Sequence, residues 1–276
     1  MRRTTTLFAA AGLAAAAGLA AAPAASAADD AQLSVFHGVP DTTVDVYVNG
    51  ELTLDDFTPG SMAGPLSLPA GSYELAITAP DAADASAPII GPVTADLTAG
   101  GNFTAVANLG ADGTPTANLY TNDTSTIEAG KAGLTVRHVA AAPEVDVLAN
   151  GTPVITNLAN PDEQTLSVDP GTISASVAAA GTTEPVIGPA DLTLPEGVHT
   201  IVYAWGSLDA GNLALATQTI EGMESAPNAV PGALPAAQDN NGGIMLAAAG
   251  GLTLMVLAGT AVAARRRSAV DASSTE

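Results

Sequence analysis

LSVFHGVPDTTVDVYVNG at residues 33–50 returns as LTVRHVAAAPEVDVLANG at residues 134–151. The offset is a constant 101 residues, and eight of the 18 paired positions are identical: Leu33/Leu134, Val35/Val136, His37/His138, Val44/Val145, Asp45/Asp146, Val46/Val147, Asn49/Asn150 and Gly50/Gly151. A period of that size is the length of a domain, so it reads as a domain duplication and not as a solenoid. The apolar period inside each copy is two. Leu33, Val35 and His37 share one side of a strand, and Val44, Val46 and Val48 share one side of the next. Asn49-Gly50 and Asn150-Gly151 then read as tight hairpin turns, because both central residues must reach positive φ.

Working outward, further short strands are expected near residues 65–68, 72–79, 89–97, 102–109 and 116–120. They are separated by Pro59-Gly60, Pro69-Ala70-Gly71, Ala99-Gly100-Gly101 and Asp112-Gly113. The second copy repeats the plan: Asp169-Pro170-Gly171 answers Pro69-Ala70-Gly71, and Val186-Ile187-Gly188-Pro189 answers Ile89-Ile90-Gly91-Pro92. About seven strands per copy, with a turn every 8–12 residues, predict an all-β protein of two tandem immunoglobulin-like β-sandwich domains. The expected boundaries are 28–120 for the first sandwich, 121–132 for a polar linker and 133–221 for the second. Each copy has its own strands and turns, so each is expected to fold by itself.

The two ends carry other signals. Residues 1–27 read as a secretory signal peptide, with Arg2-Arg3, an apolar run over 7–22 and the small-x-small site Ala25-Ser26-Ala27. Residues 222–243 form a stalk punctuated by Pro227, Pro231 and Pro235. Residues 244–264 are uncharged and would be about 31 Å long as a helix, enough for one C-terminal transmembrane helix. Arg265, Arg266 and Arg267 follow as a stop-transfer signal, leaving 265–276 as a cytoplasmic tail.

Composition removes several function classes. The chain has no cysteine, which excludes disulfides, thiolate metal sites and cysteine nucleophiles. Aromatics are 3 %, too few for a stacking platform under bases or sugars. The net charge is −21, and only Lys131 and Arg137 of the seven basic residues lie between the two ends. Such a surface repels nucleic acid, so no nucleic-acid partner is expected. No G-x-S-x-G elbow, phosphate loop or dinucleotide fingerprint occurs.

The residues left as functional candidates are His37, His138, Asp45, Asp146 and Arg137. His37 and His138 stand at equivalent places, each ending a first strand before a turn. They could hold a ligand or handle a proton. With no second histidine, cysteine or acidic cluster beside either copy, a structural histidine bonded to loop backbone is the favoured reading. Asp45 and Asp146 alternate with the valines and are expected to be solvated or bonded to a neighbouring turn. Asp55-Asp56 and Asp81/Asp84 could offer oxygens to calcium, but neither pair matches a D-x-D-x-D-G loop. No cofactor is expected. Arg137 could bridge to an acidic loop and set the angle between domains; a surface cation is the favoured reading.

Residues 130–147, GKAGLTVRHVAAAPEVDV, and the first copy's His37, Pro40-Asp41 and Val-Asp-Val-Tyr-Val-Asn-Gly over 44–50 resemble a family of bacterial secreted proteins, domain of unknown function 4397. The family pattern is a Gly-Lys-Ala lead, an Arg-Val-Val-His strand, Ser-Pro-Asp-Ala and Val-Asp-Val-Tyr-Val-x-Gly. The second copy departs from it at Ala141-Ala142-Pro143-Glu144 and lacks the tyrosine. The resemblance extends over both copies. It implies a β-rich module on bacterial surfaces, with no catalytic residues to carry over. The Ala/Gly-rich signal and arginine tail resemble those of a high-GC Gram-positive, actinobacterial source. Leu234-Pro235-Ala236-Ala237-Gln238 before the apolar span resembles a sortase signal but lacks its Thr-Gly.

The expectation from sequence is a non-enzymatic, single-span membrane protein with extracellular domains. Its expected partners are a cell-envelope polymer or another surface protein. The alternative is a surface solute-binding protein or hydrolase with a site between the domains.

Overall fold

The computed structural model describes residues 29–223; the signal, stalk, apolar span and tail expectations fall outside them. Among the described residues there is no helix, and so none long and apolar enough to cross a membrane. The first copy contains β1 (Ala31–His37), β2 (Val44–Val48), β3 (Glu51–Phe57), β4 (Met62–Leu68), β5 (Gly71–Thr78), β6 (Ile90–Leu97), β7 (Asn102–Leu109) and β8 (Pro115–Thr121). The second contains β9 (Ala132–Ala141), β10 (Val145–Ala149), β11 (Thr152–Leu158), β12 (Glu163–Val168), β13 (Gly171–Ala179), β14 (Pro185–Leu194), β15 (His199–Ser207) and β16 (Ala214–Ile220). The strand that pattern reading omits in the first copy is β3. Its sequence ELTLDDF is mostly exposed, so it lacks the buried alternation that marks the others.

Each copy is two four-stranded sheets. The orders are β4-β1-β7-β8 with β3-β2-β5-β6, and β12-β9-β15-β16 with β11-β10-β13-β14. The second pair is the first with every label raised by eight. Pairing is antiparallel except β1 with β7 and β9 with β15, which run parallel. Both hairpins turn as their Asn-Gly pairs require, with φ of 51° and 80° at Asn49 and Gly50 and 51° and 78° at Asn150 and Gly151. Gly91 and Gly188 are also equivalent and also at positive φ. A Cβ at either would sit 2.7–2.8 Å from a carbonyl oxygen of the neighbouring strand, so a side chain is excluded there.

Within each copy the sheets close on one another through the alternating residues. Leu134 and Val136 of β9 meet Val145, Val147, Ile155, Val177, Ile187, Leu194 and Val202. Leu33 of β1 meets Leu75, Leu97 and Phe103, while Val44 and Val46 meet Ile77, Ile90 and Leu109. Each copy is therefore a β-sandwich.

A further cluster belongs to neither copy alone. Phe36, Val106 and Tyr120 of the first pack with Val139, Ile201, Tyr203 and Ile220 of the second. The polar linker predicts two separately folding domains. The structure instead joins them along a seam where β1, β7 and β8 face β9, β15 and β16. The cause is visible along the strands. β7 and β15 are buried on both faces, NFTAVANL after its first residue and HTIVYAWGS over most of its length, as a strand enclosed between two layers must be.

Strand direction gives the joined body two distinct ends. β1 and β9 begin beside Asn102 and His199, the first residues of β7 and β15. β8 ends opposite Phe103 and β16 ends opposite His199. Chain entry, the linker and chain exit therefore lie at one end. The Ile127 amide donates to the Met223 carbonyl there at 2.7 Å. The turns after His37 and His138 lie at the other end. There Asn160 Nδ2 donates to the carbonyls of Leu109 and Ala140, and Asn212 Nδ2 donates to Asp41.

Candidate functional site

Arg137 occupies the seam. It is 1 % exposed, so the expectation of a surface cation is corrected. Its position on β9 is that of Phe36 on β1, the outward-facing residue before the histidine. In a seam closed on both sides, outward means enclosed. Its Nε donates to Glu163 Oε2 at 2.6 Å, its Nη1 to the Tyr203 hydroxyl at 2.8 Å and its Nη2 to Asn122 Oδ1 at 2.8 Å. The guanidinium also lies 4.3 Å over the Tyr120 ring. Asn122 and Tyr120 come from the first copy and Glu163 and Tyr203 from the second, so one side chain ties both.

The network continues. Tyr203 donates to Gln218 Oε1 at 2.6 Å, and Thr104 of the first copy donates to the same oxygen at 3.1 Å. Tyr120 donates to the Pro161 carbonyl at 2.6 Å. Burial raises the pKa of both phenols, with Arg137 pulling the other way, so both stay protonated donors. Phe36 stacks at a tilt on Tyr203, centroids 4.7 Å apart, and meets Trp205 edge-on at 6.0 Å. These groups fasten the two copies and fill the seam between them.

His37 and His138 are both 1 % exposed. His37 Nε2 lies 2.7 Å from the Thr42 carbonyl, and His138 Nε2 lies 2.9 Å from the Pro143 carbonyl. Each ring nitrogen bonds a carbonyl five residues ahead and so pins the turn between two strands. A carbonyl only accepts, so Nε2 carries the proton in both. Burial lowers the pKa of each, with these same carbonyl bonds opposing. A neutral ring committed to a loop carbonyl positions backbone.

Asp45 and Asp146 are buried, with side chains turned to loop amides. Asp146 accepts from Asn157 N and from Gly181 N, both at 2.9 Å, one on each oxygen. Asp45 accepts from Asp56 N at 2.9 Å. The surroundings then diverge. Where the second copy has Thr156, Asn157 and Gly181, the first has Asp55, Asp56 and Asp81. Carboxylate oxygens of Asp45, Asp55 and Asp56 lie within 4.8 Å of one another, the one group of this kind among the described residues. Desolvation and the neighbouring Asp45, Asp56 and Asp81 push the Asp55 carboxyl above its ordinary pKa. Crowded carboxylates relieve their repulsion by taking up a proton or a cation. These are the described residues with the chemistry to hold a hard metal ion.

Residues 31–148 match the family model of a domain of unknown function, DUF4397. The chain carries a DUF4397 domain. No curated protein matches the chain. The DUF4397 match begins on the first residue of β1 and ends inside β10. It takes in the whole first sandwich, the linker and the His138 turn that opens the second. Arg137 and both histidines therefore lie within it, as does the acidic group. Pattern reading names Asp45, Asp146, both histidines and Arg137, but misses Tyr120, Asn122, Glu163 and Gln218. Their sequence signal is weak: polar or aromatic residues on the outer faces of strands, ordinary until another sheet covers them.

Proposed function

We propose that the chain is an exported, membrane-anchored surface protein and that its two sandwiches, immunoglobulin-like in kind, form a non-enzymatic body. Its role in this reading is adhesion, envelope structure or ligand presentation, with an envelope polymer or another surface protein as partner. The signal over residues 1–27 directs export. Residues 244–264 stop transfer, and Arg265, Arg266 and Arg267 hold the tail inside, since such charges cost at least ~2.5 kcal/mol each at the bilayer centre.

The observation that carries the non-enzymatic reading is the filled seam. A hydrolase or solute-binding protein working between its domains needs an open cleft where the paired sheets meet. Phe36, Tyr203, Trp205 and the Arg137 network occupy that place instead. The chain also enters and leaves at one end of the body, which suits a tethered module displaying its opposite end.

Protease shaving of intact cells after wall removal tests the anchoring. A tag at the mature N-terminus should be lost and a tag after Glu276 protected. Loss of both tags from unlysed cells overturns the topology. A mature chain lacking the C-terminal tag and released only by wall hydrolase places processing at Leu234-Pro235.

A further inference from the structure

A cleft of about 260 Å³ lies beneath the linker, at the end of the body where the chain enters and leaves. Its walls come from Asp123, Ile127 and Glu128 of the linker, and its floor from Gly133, Leu166 and His199 of the second sandwich. This is room for several waters or one small molecule.

The floor is built. His199 is 3 % exposed, with Nε2 held 2.7 Å from Thr135 Oγ1, which in turn lies 2.6 Å from Thr165 Oγ1. The ring fits because residue 133, its partner across the parallel pair, is glycine. A Cβ there would stand 2.7 Å from Nδ1. The first copy has Gln32 and Asn102 at this pair, so the glycine–histidine pair occurs once among the described residues.

The walls show what fits. Asp123 and Glu128 line it as two exposed acidic residues, and among the described residues neither has an ion-pair partner. The two basic residues near them are committed elsewhere: Lys131 to Asp169 at 2.7 Å, and Arg137 to Glu163 inside the seam. The Ser125 hydroxyl, and then its amide, bond the Asp123 carboxylate and hold it below its ordinary pKa, so it stays charged. Ile127, Ala132 and Leu166 add apolar surface alongside. Two uncompensated carboxylates beside a short aliphatic wall match a cation at the end of a methylene chain.

We propose that this cleft binds an alkylammonium group, the ammonium at Asp123 and Glu128 and the methylenes along Ile127 and Leu166. A free diamine and the lysine side chain of a peptide present the same chemistry. The proposal goes beyond the surface-body reading and does not depend on the membrane anchor.

The chain has three histidines, one at the cleft and two at the far end, which makes ring NMR signals of the purified full-length chain a local readout. Titration with 1,4-diaminobutane or with Nα-acetyl-lysine amide should shift the His199 signal saturably and leave those of His37 and His138 in place. Saturation by the diamine alone assigns the cleft to free diamines, and saturation by both extends it to lysine side chains. Asp123→Asn combined with Glu128→Gln should weaken binding by about tenfold or more without moving the melting temperature. Asp55→Asn with Asp56→Asn, at the far end, should leave it unchanged. Equal drift of all three histidines means counterions gathered by an acidic surface and overturns the proposal. So does the same affinity in the Asp123/Glu128 variant, or an equal response to 1-butanol, or no saturable shift at millimolar ligand.

Discussion

The two copies share one strand diagram, and their outer faces and far loops have diverged more than their inward positions. At the seam, Phe36 stands where the second copy has Arg137, and Val106 where it has Tyr203. At the far loops, Asp55, Asp56 and Asp81 stand where it has Thr156, Asn157 and Gly181. The inward positions scarcely changed: Leu33/Leu134, Val35/Val136, Val44/Val145 and Val46/Val147 are identical. Inside a sandwich, a residue must fit neighbours that were duplicated with it. On an outer face, the neighbour is the other copy, and matching faces gain by becoming complementary. An apolar ring at one position and a guanidinium beside the Tyr203 phenol at its counterparts is such a division.

Separating the copies is expected to have the largest effect. Residues 28–122 alone expose Phe36, Val106 and Tyr120, and residues 130–221 alone expose Val139, Ile201, Tyr203 and Ile220. A large apolar side chain loses about 1.5–3 kcal/mol when returned to water, so the sum rivals the stability of a whole domain. Each half should self-associate on size-exclusion or lose its cooperative melt. Two monomeric halves, each melting cooperatively at the parent temperature, would show the copies to be independent after all.

Single changes in the seam come next. Phe36→Ala should cost about 3–5 kcal/mol by denaturant unfolding, as a fully buried ring between two sheets. Arg137→Met should cost about 3 kcal/mol, since it removes a donor from Asn122 and from the Tyr203 hydroxyl and leaves Glu163 unpaired. Glu163 is a third exposed, which keeps this at the low end of the range for buried pairs. Arg137→Lys should not restore stability, because an ammonium cannot reach three partners in one plane. Equal stability of wild type and the methionine variant would reduce the network to filler.

The histidine turns sharpen the likeness between copies. His37→Gln and His138→Gln should each cost ~1–3 kcal/mol, and by similar amounts, because each leaves one loop carbonyl without its donor. The pH dependence follows from their lowered pKa values. The unfolded chain takes up protons near the ordinary value of 6.5 while the folded chain does not. Stability is therefore full above that pH and falls as pH drops through it toward the folded values. Melting curves between neutral and mildly acid pH should fall less steeply for the double variant than for wild type. Parallel slopes would place the acid sensitivity elsewhere.

The smallest effect is expected at the acidic loops. Asp55→Thr with Asp56→Asn gives the first copy the second copy's residues, and asparagine already occupies the same positive φ at Asn157. The raised pKa of Asp55 means its charged form is disfavoured in the fold, so the contribution it makes in acid is lost as pH rises through that value. The variant should melt slightly higher than wild type at neutral pH and no higher in acid. Calcium sharpens the test: a melting rise in wild type that the variant lacks identifies a cation site, and no rise in either leaves like-charge repulsion.

The duplication, the all-β class, the hairpin turns and the residues that point into each sandwich are legible in the chain's local pattern. All of these rest on local rules: a period of two puts valines on one face, and Asn-Gly adopts the backbone a tight turn needs. His37 and His138 were legible for the same reason, since each bonds a carbonyl only five residues away. What covers the outer faces is set by the docking of one copy on the other. The polar linker suggested separation, yet the faces of β7 and β15 are apolar enough to require a partner. The nearest surface of that kind is the other copy, tethered ten residues away between β8 and β9. Arg137 changes from surface cation to buried fastener through that event alone. Its partners Asn122, Glu163 and Tyr203 are 15, 26 and 66 residues distant, and no local pattern announces contacts that long-range docking creates.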